Sequence, residues 1–223
     1  MRTRIYAMNT DGKDYTDECY APYLTRSRKD ESLKRQKLQD RQLYLAAEVL
    51  LNRALELSDA GMAIPAVYSR NAYGKPYLPL HTGIYINWSH SGTWVICVLS
   101  DREVGIDLQM TGQEPKEALV RRILQPEELS FYRQAPVQQK KGLFYQYWTI
   151  KESFLKAAGT GFHMPLDTFY ICMEGEVPEI VQRSGEVPYV CQLLEFADAD
   201  YTAALCLKGN RPVRADEARV EYL

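Results

Sequence analysis

Histidine is scarce in this chain of 223 residues, at three, and the five cysteines form no CxxC and no Cys/His cluster. That spacing argues against structural zinc. An odd number of cysteines at irregular intervals favours reduced thiols in a cytoplasmic protein over a disulfide framework. No apolar run approaches the roughly 20 residues that a membrane-spanning helix needs, and residues 1–9 lack the apolar core of a signal peptide. No membrane partner is therefore expected. An excess of one charge sign is missing too: the formal net charge is -2, which gives no reason to expect nucleic acid. What remains is an ordinary globular composition, 46% hydrophobic and 25% charged, in a chain long enough for one large core or two small ones. Its sixteen tyrosines are scattered, which suits packing and partner surface.

Periodicity divides the chain into helices and strands. Apolar residues recur at helical spacing over 43–55 and again over about 141–158. Extended runs are expected at 5–8, 85–88, 94–99, 104–108, 168–172, 189–194 and 201–207. Turns are expected at Asn71-Ala72-Tyr73-Gly74-Lys75-Pro76, at Ser89-His90-Ser91-Gly92 and at 100–102. Residues 26–41 mix both signs of charge and read, for most members, as a solvated helix face. The runs 94–99 and 201–207 share a pattern, although two apolar strands also resemble one another by chance. Taken as a repeat, they imply an α+β chain of two similar halves, 1–102 and 103–223, facing each other across a cleft where a ligand would bind. The polar tail, 209–223, either crosses back over the first half or is mobile.

The second long helix carries the most chemical information. Trp148, Glu152 and Lys156 are each four residues apart and stack along one stripe. Phe144 heads that stripe, and Phe154 and Leu155 turn toward a core. In Gly105-Ile106-Asp107-Leu108-Gln109, strand alternation puts Asp107 and Gln109 on one face and Ile106 and Leu108 on the other, core-facing one. Gly105 leaves room for close approach of a ligand. Asp107 with Glu152 supplies two hard oxygen donors, which suits Mg²⁺ with a phosphate; the plainer reading of Asp107 is an acid that ends a strand. Ser89 and His90, with exposed turn amides, could grip a phosphate, or they are a polar turn. Lys75, stiffened by Pro76 and bent by Gly74, is either presented to a ligand or solvated in a hairpin turn. Pro126 fits the first turn of a helix, with Glu127 and Glu128 at its positive end. That position alone explains both acids.

In this order the segments Tyr73-Gly74-Lys75-Pro76, Asn87-Trp88-Ser89-His90-Ser91-Gly92, Gly105-Ile106-Asp107 and Trp148-Thr149-Ile150-Lys151-Glu152-Ser153-Phe154-Leu155-Lys156 resemble the 4′-phosphopantetheinyl transferases of the surfactin-synthetase-activating type. Gly159-Thr160-Gly161 completes the pattern, and the resemblance spans roughly 28–169. It implies two α+β halves related by a pseudo-two-fold axis in one monomeric chain. The implied reaction moves the phosphopantetheine arm of coenzyme A to a serine of an apo acyl or peptidyl carrier protein, in polyketide or nonribosomal peptide assembly, and releases adenosine 3′,5′-bisphosphate. By the resemblance, Asp107 and Glu152 hold Mg²⁺, and Lys156 neutralises the leaving phosphate. Glu152, or a water it orients, takes the serine proton. Lys75 and Pro76 line the adenine end, and Ser89 and His90 contact the phosphates. Arg28 and Arg41 are further coenzyme A contacts, and Glu128, with Glu127 as its rival, acts in base catalysis.

The chain departs from the family pattern at Gln109, where many relatives carry an acid. The Gln109 amide oxygen can still ligate Mg²⁺, directly or through a water that fills the lost position with activity kept, but one negative charge is lost and metal binding should weaken. That departure supports a second expectation, a coenzyme A-binding scaffold or regulator with weakened catalysis.

Overall fold

The computed structural model describes residues 2–58, 61–185 and 187–223. In chain order it contains β1 (Arg4–Asn9), α1 (Arg26–Ser32), α2 (Leu38–Leu57), β2 (Ser69–Arg70), β3 (Pro76–Tyr77), β4 (Tyr85–Ser91), β5 (Trp94–Ser100), β6 (Val104–Met110), α3 (Glu117–Ile123), α4 (Pro126–Gln134), α5 (Val137–Ala158), β7 (Phe169–Cys172), β8 (Glu179–Gln182), β9 (Tyr189–Leu194), β10 (Tyr201–Lys208) and β11 (Val220–Tyr222). The architecture is α+β. One sheet runs β11-β1-β5-β4 and another runs β6-β10-β9, while β2-β3 and β7-β8 are two-stranded ribbons.

Alternation along the strands builds the layers. In β1, Tyr6 and Met8 enter a core with α2, whereas Ile5 and Ala7 turn to the opposite face. There they meet Ile106 and Leu108 of β6 and Leu205 of β10, so the two sheets pack back to back. The other face of the second sheet, through Ala204 and Cys206, receives Phe144, Ile150 and Phe154 of α5. The result is helix, sheet, sheet, helix, with β5 and β10 inside their sheets and covered on both faces. Strands buried on two sides read as unbroken apolar runs, as 94–99 and 204–207 do. The tail strand β11 lies parallel to β1, pairing Ile5 with Val220 and Ala7 with Tyr222.

Local chemistry sets the helix ends. Thr25 Oγ1 accepts from the Arg28 amide at 3.2 Å and caps α1. Pro126 begins α4, where Gln125 and Glu128 form a reciprocal capping box. Gly159 stops α5 in the left-handed conformation, φ 73°. Two expectations need correction. Ser89-His90-Ser91 is strand, and the chain turns only at Gly92-Thr93. Gly105 makes room for a helix: an added Cβ would fall 2.1 Å from the Ser153 carbonyl oxygen and 2.3 Å from the Ala157 nitrogen.

Candidate functional site

The site forms where the edges of the two sheets meet. β6 is an edge strand, so its outward amides have no ladder partner. The odd-numbered side chains of β4 supply one: Asn87 Oδ1 accepts from the Ile106 amide and Ser91 Oγ from the Met110 amide, each at 2.9 Å. Between them Ser89 Oγ donates to Asp107 Oδ1 at 2.8 Å. Three polar side chains two residues apart thus join β4 to β6, and with them the two sheets. Their alternation with Ile86 and Trp88 is the sequence signal of this seam.

Helix α5 crosses the other side of β6 and delivers the stripe. Lys156 Nζ lies 2.6 Å from Asp107 Oδ1, and it also donates to Ser89 Oγ at 2.9 Å and the Ile106 carbonyl at 3.1 Å. Gln109 Nε2 donates to Asp107 Oδ2 at 2.9 Å. Asp107 and Gln109 share a face as alternation predicts. The Asp107 side chain is only 2% exposed, so its charge is held by these donors rather than by water. Glu152 stands one turn before Lys156. Burial and the negative Asp107 push its carboxyl up to about 7, against the pull of Lys156.

Beside this cluster lies a cavity of about 210 Å³, walled by Lys75 from the β2–β3 turn, Pro76 at the start of β3, Asn87 and Trp88 from β4, Lys156 from α5 and Gly159 just past its end. Lys75 Nζ donates to the Ala157 carbonyl at 2.6 Å, and burial pushes it down to about 8. His90 is exposed at the end of β4. Protein mass on its inner side, then the positive Lys156, Arg28 and Arg35, hold its imidazole below the usual range. Larger grooves lie elsewhere, about 560 Å³ beside Phe131 and Pro136 and about 710 Å³ beside β11, but they contain none of these residues.

Other expected site residues are placed differently. Arg28 is 3% exposed; Nε and Nη2 both donate to the Tyr44 carbonyl, at 2.9 and 2.6 Å, and the guanidinium stacks on the Tyr44 ring. Its guanidinium is turned inward, onto Tyr44. Arg41 is half-buried in the first turn of α2, where its Nε has no hydrogen-bond partner. Glu128 is sealed: it accepts from the Gln125 amide at 2.6 Å and the Ile171 amide at 2.7 Å, and it lies 2.9 Å from Lys151 Nζ, with both side chains 0% exposed. Lys151 sits 4.8 Å from the centre of the Phe169 ring. Glu127 is on the surface, with both its oxygens on Arg183. The structure therefore brings neither acid to Asp107, because helix capping and ion pairing hold them elsewhere.

The donor set can be tested against Mg²⁺ directly. Among the described residues no three acidic, histidine or cysteine side chains gather as a metal cluster. The negative Asp107 does reach Glu152, helping to raise its carboxyl, and such repulsion is what a divalent cation relieves. Two carboxylates and one amide oxygen are hard donors, which fits Mg²⁺.

A family model described as the 4′-phosphopantetheinyl transferase superfamily matches residues 103–206. A 4′-phosphopantetheinyl transferase of Bacillus subtilis is 32% identical over 156 residues, 69% of this chain and 66% of its own length. Over residues 103–206 the chain matches the 4′-phosphopantetheinyl transferase superfamily, and the relatives it aligns with are 4′-phosphopantetheinyl transferases. A second superfamily relative, the transferase Sfp of Bacillus subtilis strain 168, is 33% identical over 141 residues, 62% of each chain. The matches thus span just under two thirds of these relatives' own lengths. Among solved structures, the holo-[acyl-carrier-protein] synthase of Thermotoga maritima aligns with a TM-score of 0.42 and 22% identity, over 49% of this chain and 64% of that one. The superfamily match contains Asp107, Gln109, Glu152 and Lys156, while Lys75, Ser89 and His90 precede it.

Proposed function

We propose that this protein transfers the 4′-phosphopantetheine arm of coenzyme A to a serine of an apo acyl or peptidyl carrier protein. The observation that carries the reading is the meeting of Asp107, Lys156 and Ser89 within 2.9 Å of one another, with Glu152 alongside. The superfamily match over residues 103–206 supports it. Asp107, Glu152 and the Gln109 amide oxygen would hold Mg²⁺, which when bound clamps the diphosphate and draws charge from it. The serine Oγ attacks the phosphorus that bears pantetheine, and the bond from that phosphorus to the bridging oxygen breaks. Adenosine 3′,5′-bisphosphate leaves with the electron pair. The serine proton goes to a Glu152 carboxylate oxygen, or to a water that Glu152 orients. Lys156 turns its ammonium from Asp107 to the leaving phosphate, with Ser89 and His90 at the phosphates and Lys75 and Pro76 at the adenine end. Such transfer needs alignment and charge neutralisation rather than a covalent nucleophile.

The halves are read as 1–102 and 103–223, related by a pseudo-two-fold axis, since each lays one long helix across one sheet. One chain supplies both walls of the site, so a monomer suffices. No described helix is long and apolar enough to cross a membrane, and all five cysteines are free; a cytoplasmic site of action follows as part of this reading.

The test mixes the protein with apo carrier, coenzyme A and Mg²⁺ and reads the carrier's mass and the nucleotide product. Gain of the arm with release of adenosine 3′,5′-bisphosphate is expected. No gain on several acyl and peptidyl carriers, with coenzyme A still bound, establishes the scaffold instead.

A further inference from the structure

One side chain organises the turn between β2 and β3. Asn71 Oδ1 accepts from the amides of Tyr73 and Lys75, both at 2.9 Å. Its backbone closes the same turn, donating to the Lys75 carbonyl at 2.9 Å and accepting from the Gly74 amide at 3.0 Å. The remaining group, Nδ2, crosses to the other half of the chain and donates to the Gly159 carbonyl at 2.9 Å. A Cβ on Gly159 would meet Lys75 Cδ at 3.0 Å and Asn71 Nδ2 at 3.3 Å, so the turn and the helix end are fitted closely. The last carbonyls of a helix have no partner within it. Here the first half satisfies two of the carbonyls at the end of α5, through Asn71 and through Lys75 on Ala157. The segments so joined form two walls of the 210 Å³ cavity.

We propose that Asn71 is a positioning residue that latches the β2–β3 turn to the end of α5 and so sets the gap between Lys75 with Pro76 and Lys156. This rests on the reading of the cavity as the nucleotide end of the coenzyme A site. Asn71 touches no reacting atom; it acts through the turn and the helix. An amide meets both demands, with an acceptor for two amides and a donor for a carbonyl. Aspartate keeps the acceptor, loses the donor and sets a negative charge against the negative end of α5. Alanine loses both.

Asn71→Ala and Asn71→Asp are both expected to fold, because Asn71 is exposed and its loss opens no core cavity. Hydrogen exchange without substrate is read first. Asn71→Ala should speed exchange in 71–77 and in 155–161 together. Asn71→Asp should speed it in 155–161 and leave 71–77 near the parent. The KM for coenzyme A should rise about tenfold in both variants, the equivalent of one hydrogen bond, with kcat changed less than KM. Unchanged exchange at 155–161 in both variants overturns the latch. A KM for coenzyme A within about twofold of the parent in both overturns the positioning role, even where exchange changes. A parent protein that modifies no carrier defeats the functional reading and leaves the exchange result standing.

Discussion

Asp107 and Lys156 are 49 residues apart in sequence and 2.6 Å apart in space. One lies on β6 and the other on α5, and Ser89 of β4 touches both. This contact joins stability to chemistry, because the groups that close the molecule are those proposed to act.

Lys156→Met leaves Asp107 with Ser89 and Gln109 as its donors. Breaking a fully buried ion pair costs about 3–5 kcal/mol. Lys156 keeps 26% of its side chain exposed, so a smaller loss is expected in urea unfolding. Loss of a preorganised cation should lower kcat about 10²–10³-fold. A variant with parental kcat in the carrier mass assay removes Lys156 from the mechanism.

Glu152 titrates near 7 in the fold against an ordinary 4.5. Between those values the native state binds its proton more tightly than the unfolded chain does, so the metal-free protein should lose stability as pH rises from about 4.5 to about 7. Mg²⁺ favours the ionised carboxylate and should recover that loss above pH 7. Urea midpoints measured with chelator and with Mg²⁺ read both effects. Glu152→Gln should flatten the slope; a slope that survives intact assigns it to other groups.

Gln109→Glu places a third carboxylate beside Asp107 in place of a donor to it. The metal-free variant should be less stable than the parent, and Mg²⁺ should bind at least about tenfold more tightly, a gain of about 1.4 kcal/mol. Calorimetric titration of both proteins decides the matter, and equal affinities would show that position 109 does not face the metal.

Glu128 and Lys151 form an ion pair with neither side chain exposed. Burial pushes the carboxyl up and the ammonium down, and each partner opposes the other's shift. Glu128→Ala should cost about 3–5 kcal/mol by stranding the lysine, and adding Lys151→Met should recover most of that. If Glu128 is structural, kcat per folded molecule of the double variant stays near the parent. A loss of kcat in that stable double variant returns Glu128 to catalysis.

Gly105→Ala forces a methyl against the backbone of α5, at 2.1 Å from the Ser153 carbonyl oxygen. Overpacking of this kind costs about 1–3 kcal/mol or more. The helix must shift from β6, which separates Lys156 from Asp107, so the thermal midpoint and kcat should fall together. A parental melting curve would show that the helix has slack here.

Much of this layout was legible beforehand. The helical period at 43–55 and 141–158 lies inside α2 and α5, and the extended runs match strands to within a few residues. Asp107 and Gln109 share a face because strand alternation has a period of two, and Trp148, Glu152 and Lys156 share a stripe because a helix turns in 3.6. Other features could not be read this way. Arg28 looks like a surface cation in a charged segment, yet it is buried because the Tyr44 carbonyl and ring receive it. β11 is too short and polar to announce a strand, and only the free edge of β1 makes it one.

The amino-acid sequence alone determined which residues could act together on one element: the stripe on α5, the acidic face of β6 and the stiffened lysine turn. It did so because periodicity states which side of an element is buried. Periodicity does not state what that side is buried against. The tertiary structure decided that Ser89 meets Asp107, that Asn71 holds the end of α5, that Glu128 faces Lys151 and that Gly105 yields to a helix. Each of those contacts joins residues far apart in the chain, and only the packing of the two sheets brings them within reach.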